Sequence, residues 1–223
     1  MAKPQPKNAL HSAKTENRIL WGIGTSRTLR AHWAMIELGL SYQTKPLRTR
    51  TPDMEDPDFL EIQPRQKIPV LQDGDLVVSE SLAIVTYLAE RYASKKYHLI
   101  PNSINRRAKY FEWISFIATE LDATSLYVLR RHVELFEIYG KAPAAIKTAR
   151  EYFIRMVASA EISLPNEGDY LLGHEFSGAD IMMVSCLNLS DRFNIELPVA
   201  IKDYRNRVSA RPTYIAALEA NSL

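Results

Sequence analysis

Lys67-Ile68-Pro69-Val70-Leu71-Gln72-Asp73-Gly74, followed after a short apolar run by Ser79-Glu80-Ser81-Leu82-Ala83-Ile84, decides how this chain is read. The first stretch is a β-strand with a proline near its start and an Asp-Gly reversal at its end. The second is a helix entrance. Pro69 removes one ladder donor, and a cis Ile68-Pro69 bond turns neighbouring backbone groups outward, where an extended peptide can pair with them. The free N–H groups and positive dipole end of the following helix suit a carboxylate. A small anionic peptide gripped at both places is the ligand that the pattern suggests.

Toward the N-terminus, Ile19-Leu20-Trp21 reads as a short buried strand, Gly22 to Ser26 as a loop, and Leu29, Trp33, Ile36 and Leu40 as one stripe of a helix that Gly39 stops. Residues 42–47 read as a second strand. Residues 48–63, rich in Pro, Asp and Glu, read as loop with at most a short helix. After the hairpin of residues 68–72 and 76–78, a helix carries Leu82, Val85, Leu88 and Tyr92 on one stripe. Strand, helix, strand, loop, hairpin and helix make a small α/β unit over residues 18–93. Residues 1–17 are polar and aperiodic and read as a disordered extension.

Residues 94–102 read as a linker, and 103–223 as an all-α domain. Phe111, Ile114, Ala118 and Leu121 trace one helical face; Ala149, Phe153, Val157 and Ala160 belong to another. Ser177 and Asp180 form a capping box at the start of an apolar helix. Arg211-Pro212 opens the last helix.

The 223 residues carry 28 Lys and Arg against 26 Asp and Glu, a net charge of +2, which argues against a general nucleic-acid binder but leaves room for a local basic pocket. No apolar run is long enough to span a membrane, and the N-terminus lacks a secretory signal, so a cytoplasmic protein is expected. The single cysteine, Cys186, sits in an apolar helix and reads as a buried thiol. The histidines and acids show no metal-ligand spacing, so no metal is expected.

The loop before the first helix places Thr25 and Ser26, two hydroxyls, at a helix N-terminus. Either residue as a plain N-cap is as good a reading from pattern alone. Arg27 and Arg30 oppose the helix dipole there, which hints at an anion nearby.

Together, the Ile68-Pro69 strand, the hairpin, the Glu80-Ser81 helix start, the Ser177/Asp180 box and Arg211-Pro212 resemble the cytosolic glutathione transferase family over almost all of the chain after Asn17. The absence of tyrosine or cysteine from the Thr25 loop points to its serine-type classes, bacterial, theta or zeta. The resemblance implies a thioredoxin-like domain with a mixed four-stranded sheet followed by a helical-bundle domain. It implies a dimeric detoxification enzyme that ionises the glutathione thiol and adds it to a small hydrophobic electrophile, with glutathione as co-substrate and no cofactor.

Under the resemblance, Ser26, or alternatively Thr25, activates the thiol. The Ile68 backbone beside Pro69 pairs with the cysteinyl unit, Glu80 and Ser81 hold the γ-glutamyl end, and Lys67 and Gln66 hold the glycyl carboxylate. Arg65 reads as solvated loop. The electrophile pocket falls to Ser115, Tyr127, Arg130, Arg131 and Tyr139. Alternatives are a noncatalytic ligand-carrying or interaction module of the same fold, or a glutathione-dependent isomerase, dehalogenase or disulfide reductase.

Overall fold

The computed structural model describes residues 18–94 and 98–222. The reading of residues 1–17 and the middle of the linker at 95–97 lie outside them. Four strands form one mixed sheet in the order β2-β1-β3-β4: β1 (Arg18–Trp21), β2 (Gln43–Lys45), β3 (Val70–Asp73) and β4 (Leu76–Ser79). β1 runs parallel to β2 and antiparallel to β3, so Leu20 faces Leu71 and Trp21 faces Val70 across the centre. The hairpin closes as read, with Asp73 opposite Leu76 and Gly74 at φ 62 supplying the turn. β2 is shorter than the six residues read from sequence, because only residues 43–45 pair with β1.

On one face lie α1 (Ser26–Glu37) and α3 (Ser81–Arg91), whose Leu29, Trp33, Ile84 and Leu88 are buried. The other face is covered by a single 3₁₀ turn at Pro52–Glu55 and by α2 (Pro57–Ile62). There Phe59 packs on Trp21 and joins Leu47, Met54, Ile68 and Val70 in a small separate core. The acidic loop thus folds into two short helical pieces held by one buried aromatic. Asp56 caps α2 by accepting from the Asp58 N–H at 2.8 Å.

The rest is helical apart from one isolated bridge between Tyr170 and Gly173, among the described residues. A long helix begins as α4 (Ile104–Phe116) and widens into π-helical turns at Ile117–Leu126. It returns to α5 (Tyr127–Leu129), widens again at Arg130–Glu134 and ends in α6 (Phe136–Tyr139). Then come α7 (Pro143–Ile162), α8 (Gly178–Ser190), α9 (Val199–Ser209) and α10 (Pro212–Ala220).

One face read from sequence needs correcting. Tyr110, Ile114, Ile117 and Leu121 are buried on the long helix, whereas Phe111 is 41% exposed. Ile114 and Leu121 belong to the buried stripe, but its other members are Tyr110 and Ile117, each one position before the Phe111 and Ala118 read from sequence; both choices fit helical spacing, and packing selects the first. By contrast α8 is apolar nearly all round and central, and its Asp180 accepts from the Ser177 N–H and hydroxyl at 2.8 and 2.9 Å. α10 locks onto α1: Trp33 lies 4.8 Å from the Tyr214 ring and its indole N–H donates to Thr213 Oγ1.

Candidate functional site

The loop between β1 and α1 approaches the strand entrance closely. At Gly22, φ 112, a Cβ would stand 2.5 Å from the Ile68 Cβ, so only glycine lets the two segments meet. Thr25 caps α1. Its hydroxyl accepts from the Thr28 N–H at 3.0 Å, and Thr28 Oγ1 accepts from the Thr25 N–H at 3.0 Å, completing a reciprocal box. Thr28 Oγ1 donates its proton to Asn221 Oδ1 at 2.6 Å or to the Thr25 carbonyl at 2.9 Å. Asn221 fastens the loop further: its amide donates to the Thr25 carbonyl at 3.2 Å, and its own carbonyl accepts from the Gly24 N–H at 2.9 Å. Ser26 is the first residue of α1, and its hydroxyl has no hydrogen-bond partner among the described residues.

The anion anticipated beside Arg27 and Arg30 comes from the chain itself. Asp122, from the first π-helical stretch, accepts from Arg27 Nη2 at 2.6 Å and lies 2.8 Å from Arg30 Nη1. Burial alone would raise the Asp122 carboxyl. The Arg30 and Arg27 guanidinium groups outweigh it and hold the carboxyl below the usual range. Arg30 is fully buried; it also donates to Ser185 Oγ at 2.6 Å, Cys186 Sγ at 3.1 Å and Ser81 Oγ at 3.2 Å. This one side chain therefore ties the entrance of α3 to α8 and the long helix. Burial pushes the Cys186 thiol up to about 12, so it is the inert thiol that its apolar surroundings suggested.

Between the α1 entrance, the loops around residues 50 and 66 and the widened part of the long helix lies a cleft of about 530 Å³. Of the residues singled out from sequence, Thr25, Arg27, Gln66, Lys67, Ile68, Tyr127, Arg130 and Tyr139 line it. The Ile68-Pro69 bond is cis, and the Ile68 N–H and C=O have no partner among the described residues. Ser26 sits next to the cleft in sequence but is not among its lining residues. Ser115 lies apart, exposed on α4, its carbonyl accepting from the Thr119 hydroxyl. Arg131 stacks on Tyr139 at 4.4 Å instead of facing the cleft. His132 donates its Nδ1–H to the Gly140 carbonyl at 2.8 Å, a local tie within its own segment.

Glu80 and Ser81 play different structural parts. Glu80 sits at φ 73, outside the ordinary range for a side chain of its size, and pairs with Arg65 at 3.4 Å. Ser81 is buried against Arg30. Arg50 and Gln66 also have positive φ, so two of the four non-glycine residues described with left-handed backbone line this cleft.

Arg65 was read from sequence as solvated loop, yet it lines the cleft and bridges Ser79 and Glu80. Arg50, Asp122 and Asn221 were not singled out at all. The basic run Arg48-Thr49-Arg50-Thr51 was a usable signal for the first. Two arginines in a first helical turn with no acid of its own were the signal for Asp122. Nothing local marks Asn221. Among the described residues no three side chains converge as metal ligands, and no helix is long and apolar enough to cross a membrane.

Comparison with known proteins places this architecture. Residues 16–90 match the family model for the glutathione S-transferase N-terminal domain, and residues 116–212 match that for its C-terminal domain. The chain is similar to glutathione S-transferase F10 of Arabidopsis thaliana, 32% identical over 155 residues, covering 68% of this chain and 71% of that one. It is also similar to glutathione S-transferase Z2 of the same plant, 28% identical over 178 residues and 77% of each chain. Among solved structures, the theta class glutathione S-transferase of Xanthomonas axonopodis pv. citri, with glutathione bound, superposes with a TM-score of 0.77 at 26% identity, covering 91% of this chain and 97% of that one. A mixed sheet entered through a cis-proline strand, a helical partner closing over it and matches at both ends of the chain lead to one conclusion: this protein belongs to the glutathione S-transferase family.

Proposed function

We propose that the cleft binds glutathione, stabilises its sulfur as thiolate and transfers it to a small electrophile with a hydrophobic body. The observation that carries this reading is the meeting, in one cleft, of a hydroxyl at the mouth of α1 with the unpaired backbone of Ile68. A thiol titrates near 8.5, and lowering that by about two units requires roughly 2.7 kcal/mol of preference for the anion. One hydroxyl donor supplies about 1.5–3 kcal/mol and a helix N-terminus up to about 2. Both are present at Thr25 and Ser26.

Glutathione in extended form pairs with the Ile68 backbone, its γ-glutamyl end meets Glu80 and Ser81, and its glycyl carboxylate meets Lys67, Gln66 and Arg65. Sulfur then points at the α1 mouth. Of the two hydroxyls, the lining supports Thr25 first: its oxygen accepts from the Thr28 N–H, and its proton reaches the cleft by turning away from Thr28 Oγ1, 3.0 Å distant. Ser26 keeps an uncommitted hydroxyl one residue on. Tyr127 and Arg130 form the wall on the electrophile's side. Residues 18–93 then act as the glutathione domain and 103–223 as the electrophile domain of a cytoplasmic homodimer.

The test compares wild type with Thr25→Ala and Ser26→Ala, using a chlorinated nitroarene and a hydroperoxide as acceptors. The variant lacking the activating hydroxyl loses about 10²-fold in kcat, the scale of one preorganised donor, and loses the thiolate absorbance of bound glutathione at neutral pH. Equal activity in all three proteins reduces both hydroxyls to helix caps. Failure of the wild type to be retained on immobilised glutathione ends the reading altogether.

A further inference from the structure

The cleft is more cationic than a tripeptide thiol requires. Arg27, Arg50, Arg65, Lys67 and Arg130 line it, against Glu55 alone among acids. Glutathione has two carboxylates and one ammonium, so it brings a net charge of about −1, or −2 with the thiol ionised. Two of the cations are already answered: Arg27 by Asp122 and Arg65 by Glu80. Lys67 stands beside Ile68, within the glutathione half of the cleft under the reading above.

Arg50 and Arg130 remain. Arg130 is half-buried, and its Nε has no hydrogen-bond partner. Its nearest acid, Glu134, lies 3.7 Å away and is also held by Arg192 at 2.8 Å. Burial, then the charge of Arg50, then those of Arg192 and Arg27 disfavour its protonated form, with Glu134 opposing. Arg50, in a left-handed backbone conformation, has no acid partner among the described residues; its guanidinium bonds to Thr49 Oγ1 at 3.2 Å and faces the Tyr139 phenol. Two guanidinium groups, Arg130 half-buried and Arg50 exposed, thus line one cleft with the phenols of Tyr127 and Tyr139, and neither is closely matched by an acid of its own among the described residues. Such an arrangement is unfavourable when empty and favourable around an anion.

We propose that the electrophile carries an anionic group, a carboxylate in the simplest case, that docks between Arg130 and Arg50 while its hydrophobic body lies against Tyr127, towards Thr25. This rests on the glutathione reading for the identity of the nucleophile. For an aryl chloride the step balances as follows: the thiolate sulfur forms the C–S bond, the C–Cl bond breaks, chloride leaves with the electron pair, and the thiol proton has passed to solvent.

The experiment uses the full chain with 4-chloro-3-nitrobenzoate and 4-chloro-3-nitrobenzamide, which share ring and leaving group. Each kcat/KM is divided by the rate of the same acceptor with free glutathione. The benzoate is expected to exceed the benzamide about tenfold, the scale of one partly screened charge-assisted contact. In Arg130→Gln and Arg50→Gln this ratio falls towards one, and in the wild type it shrinks as salt is raised. A ratio at or below one in the wild type overturns the proposal, as does a ratio that both variants leave unchanged. If neither acceptor turns over, the transferase reading fails by itself, and equilibrium dialysis of the two compounds decides the anion site. Tighter binding of the benzoate, lost in Arg130→Gln, sustains it; equal binding or none overturns it.

Discussion

Asp122 and Asp180 are both buried carboxylates in the helical half of the molecule, and they are satisfied in opposite ways. Asp122 faces two guanidinium groups, Arg27 and Arg30, and lies behind the wall of the cleft. Asp180 faces only neutral donors: the N–H groups of Leu171 and Ser177 and the hydroxyls of Ser177 and Tyr204, all within 2.9 Å. Around Asp122 the field of the arginines overcomes desolvation; around Asp180 burial prevails over the four donors and pushes the carboxyl up. The lesson is that a buried acid can serve charge or geometry. Only the first kind reaches the entrance of α3, where Arg30 passes from Asp122 to Ser81.

Removing Asp122 is the sharpest way to break this contrast. Asp122→Ala leaves two arginines without their anion, one of them fully buried, and should cost about 3–5 kcal/mol in urea unfolding. Retention on immobilised glutathione should fall with it as Ser81 and Arg27 lose their register. Asp180→Ala orphans buried donors but no charge, and should cost less, about 1–3 kcal/mol, with glutathione retention preserved in the folded fraction. Equal losses of stability and equal effects on retention would erase the distinction.

A finer test uses pH. The Asp122 carboxyl is depressed in the folded state, so its contribution is present above the ordinary carboxylate range and is lost as pH falls through its folded value. The Asp180 carboxyl is raised, so the folded state binds that proton more tightly and wild type gains relative stability as pH falls from neutrality towards 3.8. The stability difference between wild type and Asp122→Asn should therefore narrow on acidification, while that for Asp180→Asn should widen. Urea midpoints between pH 3 and pH 7 read both trends, and parallel trends would contradict the electrostatic account.

The same pair shows what sequence can disclose. Asp180 was legible because its partner Ser177 is three residues away and a capping box is a local pattern. The hairpin at Gly74 was legible for the same reason, whereas the mixed sheet and the cis bond before Pro69 were expected through the family resemblance. Asp122 was not, since Arg27 lies 95 residues before it and no spacing rule spans that gap. Phe111 was misassigned because Tyr110 and Phe111 both stand at helical spacing from Ile114, and only the packing of the folded chain chooses between them. In the cleft, Lys67 and Tyr127 were expected through the family resemblance, while Arg65 was set aside since a surface loop and a cleft wall look alike until the long helix is folded over them.

Gly24 is tied to Asn221, 197 residues further along the chain. Closing so long a span carries a larger entropic cost than forming the β3–β4 hairpin, and contacts of that range arrive late. The sheet is thus expected to stand before the Thr25 hydroxyl has a fixed address, and that edge of the cleft is completed only when α10 docks beside Trp33.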